Sequence, residues 1–522
     1  MTARSTLIQI HGNAIARPVS WPAPLERLAL IAFTATIFLL GCWRPLPLAL
    51  FSQNWTIGNR YQLLTLFNPQ YRQVILYPGD ISALVTIILW LLARLVASIT
   101  GQQRAALRLG PYSLTLPLIG LATLAALSAT QAILPILSLE IAAQLFLVGA
   151  LVIAVINLRP PMWAIIVPLA LLLAIEGTVS ILQAQTQSTL LGHLLLNWHQ
   201  EATALQSGAS IVQLPSGARW LRAYGTFPHP NILGGFLCLA LPVVTGAYLR
   251  LPWRSVWAWL LLASLALGLL ALLLSFSRAA WLGILSGALW AGLLFWMRRR
   301  AAQRAVEPAR LKGTRTGGFG GAAFRRGLNR QRWIQPALLS LLGIGLIIGL
   351  VATLSPVIQS RLLLSNSALE QRSIDERIVL LEASAVFFTQ HPWLGVGAGN
   401  MPLVELTYSP TRNIAAPAHN VPIAIAVETG LFGLLLWLIP PIGALWGAWR
   451  RRFTLSPAGV AASAALVALL TAAQLDHYLW SLDTGRLLYW LAVTLAILWL
   501  QQEGLKRKSA SLIEDEGSNH VC

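Results

Sequence analysis

Charged side chains are scarce in this chain of 522 residues. Asp, Glu, Lys and Arg together make up 11% of it, whereas a soluble protein of this length carries about a quarter. The chain contains several long runs without a charged residue. Each of these runs is long enough to cross a bilayer as a helix, which takes about 20 residues. Because helices satisfy their own backbone polar groups in lipid, we expect an all-α, polytopic integral membrane protein. The uncharged runs are 255–277, 279–297, 333–360, 429–449 and 453–475.

Cysteine is almost as scarce. The three cysteines, Cys42, Cys238 and Cys522, lie far apart. Their spacing gives neither a set of metal ligands nor a disulfide framework. The segments predicted to lie outside the membrane also lack a convincing Asp/Glu pair that would hold a metal. We therefore predict no metal and no cofactor.

The hydrophobic runs predict about twelve transmembrane helices in a single multi-pass domain covering 1–522. The first run starts near Leu25 and lacks an A-x-A cleavage site, so we interpret it as an anchor rather than a cleavable signal peptide. The predicted spans are centred near residues 33, 89, 121, 147, 172, 239, 266, 288, 345, 433, 465 and 493.

Lysine and arginine predict the orientation, because cytoplasmic loops are enriched in them. With both termini cytoplasmic, the inner segments hold 25 of the 37 Lys and Arg residues and the outer segments hold 11. The net charge of +19 then reflects this bias and attraction to anionic lipid, so no nucleic-acid partner is expected. Residues 298–334 form a basic cytoplasmic loop that we expect to be flexible. Residues 185–228 and 354–420 form extracytoplasmic loops, the second carrying amphipathic helices.

Arginines in outer segments need an explanation, since such segments are normally poor in them. In "SFSRAAWLG", Arg278 stands between two uncharged runs. It either reaches lipid phosphate from the interface or provides a fixed cation for an anionic substrate. The eleven outer arginines are Arg44, Arg60, Arg72, Arg219, Arg222, Arg278, Arg361, Arg372, Arg377, Arg412 and Arg486.

A second candidate segment is "RAYGTFPHPNILGG". Asn231 follows two prolines and opens an apolar run, which predicts a helix cap at Asn231. Helix entry does not explain Arg222, which we regard as a candidate anion ligand. His229 is open to a structural or a catalytic interpretation.

A third segment is "DERIVLLEASAVFFTQHPWLGVGAGN". Apolar residues recur at helical spacing, which predicts an amphipathic helix at the outer surface; they are Ile378, Leu381, Ala385 and Phe388. Arg377 starts this helix and either pairs with neighbouring Glu376 or binds substrate. The glycines that follow allow a close backbone approach, and Asn400 ends the turn as a supporting candidate.

The fourth segment is "AHNVPIAIAVETG". Asn420 is predicted to cap a helix, with Pro422 in its first turn. His419 then lies just outside the helix, either as an ordinary interface histidine or as a catalyst. Glu428 lies about 10–12 Å deeper along the axis, and we consider it structural or supporting.

These four segments, in this order, resemble the O-antigen ligase and polymerase family of bacterial envelope glycan enzymes. The matching stretches are "RAYGTFPHPN" at 222–231, "SFSRAAWLG" at 275–283, "ERIVLLEASAVFFTQHPWLGVGAGN" at 376–400 and "AHNVPIAIAVETGLFG" at 418–433. Each motif is weak alone, but the ordered set is fairly specific for the family. It does not separate ligases from polymerases.

The resemblance implies a glycosyltransferase in the bacterial cytoplasmic membrane with an extracytoplasmic active site. It implies a polyprenyl-diphosphate-linked glycan donor and a hydroxyl acceptor on a glycan, lipid or protein. By position, Arg222, Arg278 and Arg377 match the arginines that engage the diphosphate, and His419 matches the histidine proposed to activate the acceptor.

Elementary chemistry is consistent with this assignment. Arginine offers a fixed charge and paired donors to phosphate oxygens, and a neutral imidazole can take the proton of a sugar hydroxyl. Direct displacement would be metal-independent and would invert the anomeric carbon.

Two other classes of protein remain open from the sequence. A transporter would also have about twelve spans and ionisable groups within the membrane, here Glu176 and Glu428. Against it, no internal repeat relates the two halves, and the unusual residues lie on one side of the membrane. A non-catalytic assembly scaffold would not need arginines and a histidine to converge.

Overall fold

The computed structural model describes residues 24–42, 46–47, 75–102, 106–189, 209–214, 216–311, 319–362, 368–408 and 416–518. Within these ranges the chain is almost entirely helical. The helices are α1 (Pro24–Phe38), α2 (Pro78–Ile99), α3 (Tyr112–Ser128), α4 (Pro135–Leu158), α5 (Trp163–Thr186), α6 (Pro230–Tyr248), α7 (Val256–Leu274), α8 (Arg278–Leu311), α9 (Phe319–Leu362), α10 (Ala368–Gln390), α11 (Met401–Tyr408), α12 (Val421–Arg450), α13 (Pro457–Ala473), α14 (Tyr478–Ser481) and α15 (Asp483–Ser518).

Two short antiparallel pairs of strands complete the described structure. Strands β1 (Leu46–Pro47) and β2 (Ile75–Leu76) pair with each other, as do β3 (Ile211–Gln213) and β4 (Arg219–Leu221). The second pair forms a hairpin immediately before the segment that carries Arg222.

The all-α, polytopic membrane architecture is confirmed. Ten helices in the described ranges are long and apolar enough to cross a membrane, and Tyr112–Ser128 and Pro457–Ala473 are shorter apolar helices. Each of the twelve predicted centres falls within one of these helices. The number that cross the membrane stays a prediction.

The helices alternate in direction, so the two ends of the bundle differ in composition. At one end, which we call the site end, α7, α9 and α13 finish and α6, α8, α12 and α15 begin. The opposite end carries many of the basic residues, among them 298–300 and 450–452.

Glycines bring α8 and α13 into close contact. A Cβ atom added at Gly283 would lie 2.6 Å from the carbonyl oxygen of Ala468, and one at Gly287 would lie 2.6 Å from that of Ala464. This spacing of small residues is typical of helices that pack tightly within a membrane. It holds α13, and therefore the residues that follow it, in a fixed position.

Helix α12 is interrupted at Gly430, whose φ of 71° lies in the left-handed region. The turn at 391–400 packs on this interruption. Val396 donates its N–H to Val427 O (2.9 Å), Gly397 donates to Glu428 O (3.1 Å), and Leu431 donates to Pro392 O (2.8 Å). On the side where a Cβ atom would lie, the close approach predicted for these glycines is to the backbone of α12 only at Gly395, whereas Gly397 lies against Ala132 and Gly399 lies against α4.

Helix α10 forms where a helix was predicted, but a different face is buried. Leu380, Ala383 and Phe387 are buried and the helix packs on α12, whereas Ile378 and Leu381 are about half exposed. The sequence pattern did not reveal that α10 has apolar residues on two faces.

The predicted loops are shorter than expected where the structure describes them. Helix α8 runs to Leu311 and α9 begins at Phe319, so much of 298–334 is helical, in keeping with its Ala, Arg, Gln and Leu content. Helix α9 also extends to Leu362, into the predicted 354–420 loop. Within the 185–228 loop, residues 190–208 and 215 lie outside the described residues, as do Arg44, Arg60, Arg72 and Arg412.

Candidate functional site

A connected group of polar side chains lies at the site end of the bundle. We call it the Asp476 cluster; its members are Arg222, Asn231, His419, Asp476 and His477. The Arg222 Nη2 donates to Asn231 Oδ1 at 2.5 Å, and Asn231 Nδ2 donates to Asp476 Oδ2 at 2.6 Å. Oδ1 of Asp476 lies 3.6 Å from His419 Nδ1. The cluster joins residues that are far apart in the sequence.

Each of the three nitrogens of the Arg222 guanidinium group donates a hydrogen bond. Its Nε donates to Ser275 O (2.9 Å) and its Nη1 to Ser210 Oγ (3.0 Å). Helix α5 fixes the backbone that follows, because Gln183 Oε1 accepts the N–H groups of Tyr224 (2.8 Å) and Gly225 (2.9 Å). A buried arginine with this many fixed bonds cannot move freely.

The turn between α7 and α8 presents consecutive carbonyl groups to Arg222, to the residue that follows it and to Arg361. Ala223 N–H donates to Leu274 O at 2.9 Å, and Arg361 Nε donates to Phe276 O at 3.1 Å. With the Arg222 bond to Ser275 O, three successive carbonyls are engaged. Phe276 adopts a φ of 47°, a conformation that costs a non-glycine residue energy and is over-represented at functional sites. The same turn starts α8 with Arg278.

Positive charges converge at this turn. Burial, followed by the charge of Arg361, lowers the pKa of Arg222 to about 9, and the charge of Arg278 acts in the same direction. Arg222 is still protonated at neutral pH. Because an anion bound among these arginines would relieve their mutual repulsion, the region is electrostatically suited to a phosphate-like group.

His229, rather than Asn231, is the N-cap of α6. Its Nδ1 accepts the N–H of Asn231 at 3.1 Å, and its Nε2 lies 3.2 Å from Ser210 Oγ. Burial, followed by the charge of Arg222, lowers the pKa of His229 to about 3, so the ring is neutral. The predicted cap at Asn231 is therefore wrong, which leaves the Asn231 side chain to bridge Arg222 and Asp476.

Asp476 is a buried carboxylate between α13 and α14. Its Oδ1 accepts the N–H of His477 at 2.8 Å. Burial alone would raise the pKa of Asp476, but the interaction with His419 and the charge of His477 hold it well below its ordinary value. The pKa of His477 is lowered to about 4 by burial and then by the charge of His419. The cluster thus combines an ionised carboxylate with a neutral imidazole.

His419 lies at the accessible edge of the cluster. The relative accessible surface of its side chain is 30%, while its Nδ1 is buried and faces Asp476. Its ring packs edge to face on His477, with centroids 4.9 Å apart. Next to it, Asn420 caps α12 by accepting the N–H of Ile423 at 3.0 Å, and it donates to Gln474 O at 3.1 Å. Asn420 therefore ties the start of α12 to the loop that carries Asp476.

Arg377 lies on the exposed surface of α10, and its charge contributes to lowering the pKa of His477. It does not follow the predicted surface pairing, because Glu376 pairs with Arg372 at 2.8 Å. The structure thus brings Arg278 within electrostatic range of Arg222, and Arg377 within electrostatic range of His477.

Comparison with known protein families now bears on this arrangement. A family model described as O-antigen ligase matches residues 261–438. This finding supports an O-antigen ligase/polymerase-like family. The match supports glycan transfer of the ligase or polymerase type at a general level and a multi-pass bacterial membrane protein. It includes Arg278, Arg377 and His419, whereas Arg222 and Asp476 lie outside it. A comparison with curated proteins found no match to the chain.

In this O-antigen ligase-like chain, Glu428 anchors the backbone. Its Oε2 accepts the Gly399 N–H and the Trp480 Nε1–H, both at 2.7 Å. Trp480 belongs to α14, which begins directly after His477. Glu428 thus contributes to the shape of the loop at 474–477 without bonding to Asn420 or to an arginine.

Asn400 is also an anchor, but at a different place. It is fully buried and exchanges hydrogen bonds with the backbone of Leu134 at 2.7 and 3.2 Å, and it also donates to Ser138 Oγ. Asn400 therefore fastens the glycine turn to the start of α4.

The carboxylates that favoured a transporter already bond to the protein. Glu176 accepts the N–H and the hydroxyl of Thr226 at 2.8 and 2.6 Å, just as Glu428 accepts two donors. The outer arginine Arg486 is likewise structural, since it donates to Gln144 and to Trp480 O. These groups support the fold of the O-antigen ligase-like bundle.

Sequence reasoning missed Asp476 and His477 as site residues and did not single out Arg361. In "AAQLDHYLW" an aspartate and a histidine follow directly after an uncharged run of more than 20 residues. Such residues at a membrane interface are a usable signal.

Proposed function

We propose that the chain transfers a glycan from a polyprenyl-diphosphate-linked donor to an acceptor hydroxyl, on the outer face of the bacterial cytoplasmic membrane. The observation that carries this proposal is the hydrogen-bonded connection from Arg222 through Asn231 to Asp476, whose Oδ1 lies 3.6 Å from His419 Nδ1. It joins an anion-binding group to a proton acceptor at one end of the bundle.

The arginines are assigned to the donor. Arg222, Arg278 and Arg377 bind the diphosphate, with Arg361 adding charge from the end of α9. A lipid-linked diphosphate lies at the membrane interface, where the site end would meet it. As the bond to the sugar breaks, negative charge grows on the departing diphosphate, and fixed arginines stabilise that charge without reorganising.

His419 is assigned to the acceptor. The carboxylate of Asp476 on the Nδ1 side favours the tautomer that carries its proton on Nδ1, which leaves Nε2 free to accept a proton. Nε2 takes the proton of the acceptor hydroxyl while the oxygen forms its bond to the anomeric carbon. The bond from that carbon to the diphosphate breaks, and polyprenyl diphosphate leaves with the electron pair. A single displacement of this kind inverts the anomeric carbon.

No step in this scheme is assigned to a metal or another cofactor. Asp476 acts through His419 and is a positioning residue. Asn231 couples the two halves of the site, because it bonds at once to the cation that binds the donor and to the carboxylate that orients the base.

The positive-inside rule supports an extracytoplasmic site. Basic residues concentrate at the end of the bundle opposite the Asp476 cluster, including Arg250, Arg254 and the groups 298–300 and 450–452. Such residues favour the cytoplasmic side. This arrangement corresponds to cytoplasmic termini and an outward-facing cluster.

The proposal is tested by reconstituting the purified protein with a polyprenyl-diphosphate glycan and candidate acceptors. His419→Ala should lower kcat by about 10²- to 10⁴-fold, the usual contribution of a general base. His391→Ala is the matched control, because His391 is exposed at the end of α10. Transfer that survives His419→Ala would overturn the base assignment.

The donor site is tested in the same system. Reversing the charge of Arg222, Arg278 or Arg377 should weaken donor use, whereas reversing exposed Arg372 should have little effect. Unchanged donor KM and kcat in the first three variants would contradict the diphosphate assignment. Solute uptake by the same proteoliposomes, with no transfer to any acceptor, would favour a transporter instead.

A further inference from the structure

Three candidate metal-ligand atoms of the Asp476 cluster lie close together. His419 Nδ1, Asp476 Oδ1 and His477 Nε2 all lie within 4.8 Å of one another. Oδ1 is 3.6 Å from His419 Nδ1 and 3.9 Å from His477 Nε2. Ligands of a tetrahedral zinc ion with bonds of about 2.0–2.1 Å are about 3.3 Å apart. Small side-chain rotations would therefore bring these atoms to metal-binding distances.

The His419 Nδ1 atom is buried and has no hydrogen-bond partner among the described residues. A buried polar nitrogen without a partner is unfavourable, because it has lost its contact with water. Asp476 Oδ1, at 3.6 Å, lies beyond hydrogen-bonding distance. This unsatisfied atom is a second indication that a ligand can occupy the space.

Hydrogen bonds orient the other two candidate ligands, as is usual for metal ligands. His477 Nδ1 is 2.6 Å from Ser481 Oγ, which directs Nε2 toward Asp476. Asp476 Oδ2 accepts from Asn231, which leaves Oδ1 on the side of the histidines. Metal-bound histidines almost always bond through their second nitrogen in this way.

We propose that His419, Asp476 and His477 bind a divalent transition-metal ion of the zinc type, and that this ion inhibits glycan transfer. Two imidazoles and one carboxylate suit Zn²⁺ or Co²⁺ rather than Mg²⁺, which prefers oxygen ligands. Three protein ligands leave a fourth position for water.

The inhibition rests on the proposed function. A neutral imidazole that coordinates a metal through Nδ1 carries its proton on Nε2. His419 in that state has no lone pair with which to accept the proton of an acceptor hydroxyl. Metal binding and general-base catalysis at His419 therefore exclude each other.

Binding is measured without reference to activity. Full-length, tag-free protein is stripped with EDTA, and Co²⁺ is added while the visible d–d bands of the tetrahedral ion are recorded, with Zn²⁺ as competitor and Mg²⁺ as negative control. One equivalent of Co²⁺ should bind. His477→Gln and His419→Gln should each weaken binding at least tenfold, and Ser481→Ala by about 10- to 100-fold, whereas His391→Gln should match wild type.

Several results would overturn the metal site. These are the absence of Co²⁺ bands in wild type, a thiolate charge-transfer band that assigns the ion to cysteine, or equal affinities in His477→Gln and His391→Gln. Each would show that the three atoms do not act together as ligands.

The second part of the test measures glycan transfer. Zn²⁺ should inhibit metal-free wild type, and Ser481→Ala, normalised to its own metal-free rate, should need about 10- to 100-fold more Zn²⁺ for half inhibition. Transfer that requires Zn²⁺ after EDTA treatment would overturn the inhibition. Co²⁺ binding as expected, with no transfer to any acceptor, would overturn the proposed function and leave the metal site standing.

Discussion

Replacing Asp476 by asparagine removes one charge from the candidate site and keeps nearly the same side-chain shape, although an amide nitrogen in place of Oδ1 no longer accepts the N–H of His477. At 3.6 Å from His419 Nδ1, a unit negative charge would stabilise a full imidazolium by about 4.6 kcal/mol at an effective dielectric constant of about 20. An effective dielectric constant of about 20 applies near a protein surface, and the His419 side chain is 30% exposed. A transition state with half a proton transferred would lose about 2.3 kcal/mol.

At about 1.4 kcal/mol per factor of ten, these limits correspond to a fall in kcat of about 50- to 2,000-fold for Asp476→Asn. The new amide also offers an N–H toward Nδ1, which would favour the wrong tautomer and acts in the same direction. Donor KM should change much less, because the amide oxygen can still accept from Asn231 and so preserve its contact with Arg222.

The assay is steady-state transfer in proteoliposomes, with the thermal midpoint of each variant recorded as a check on folding. Asp375→Asn is the matched control, since Asp375 is exposed on α10. A stable Asp476→Asn protein with wild-type kcat, or with a loss confined to donor KM, would refute the role of Asp476 as a positioning residue for His419.

Three further predictions concern stability. Glu428→Gln should lower the thermal midpoint, because two bonds to a buried carboxylate each contribute about 1.5–3 kcal/mol; an unchanged midpoint would contradict the anchoring role. Gly283→Val should prevent the close packing of α8 on α13 and reduce folded yield, whereas Gly292→Val, with open space around it, should be tolerated; equal yields would argue against this contact. Burial raises the pKa of Glu405 to about 8, so the fold loses stability as pH rises from the unfolded value toward about 8. Between about pH 5 and pH 9, wild type should therefore lose more thermal stability than Glu405→Gln, and parallel pH curves would exclude that titration.

Features encoded by composition were predictable from the sequence. Uncharged runs located the apolar helices, because charged residues are unfavourable in lipid and are therefore rare in helices that cross a membrane. The cap at Asn420 was also predictable, since it depends on neighbours within three residues. Both features are local.

Features that depend on tertiary contacts were not predictable in the same way. Asn231 had the sequence context of a cap, but His229 takes that position and frees Asn231 for Asp476, 245 residues away. The buried face of α10 depends on α12, and no periodicity could choose between two apolar faces. His419 and Asp476 meet only because α12 and α13 form an antiparallel pair.

The docking of 391–400 onto the interrupted helix α12 has a consequence for building chimeras between relatives. The turn supplies N–H groups to the carbonyls of Val427 and Glu428 and accepts the N–H of Leu431. An exchange of the 354–420 loop alone would leave these backbone groups without their matched partners and would disturb the start of the helix that follows His419. The smallest unit that can be exchanged intact therefore runs through Leu431 and includes the entry of α12.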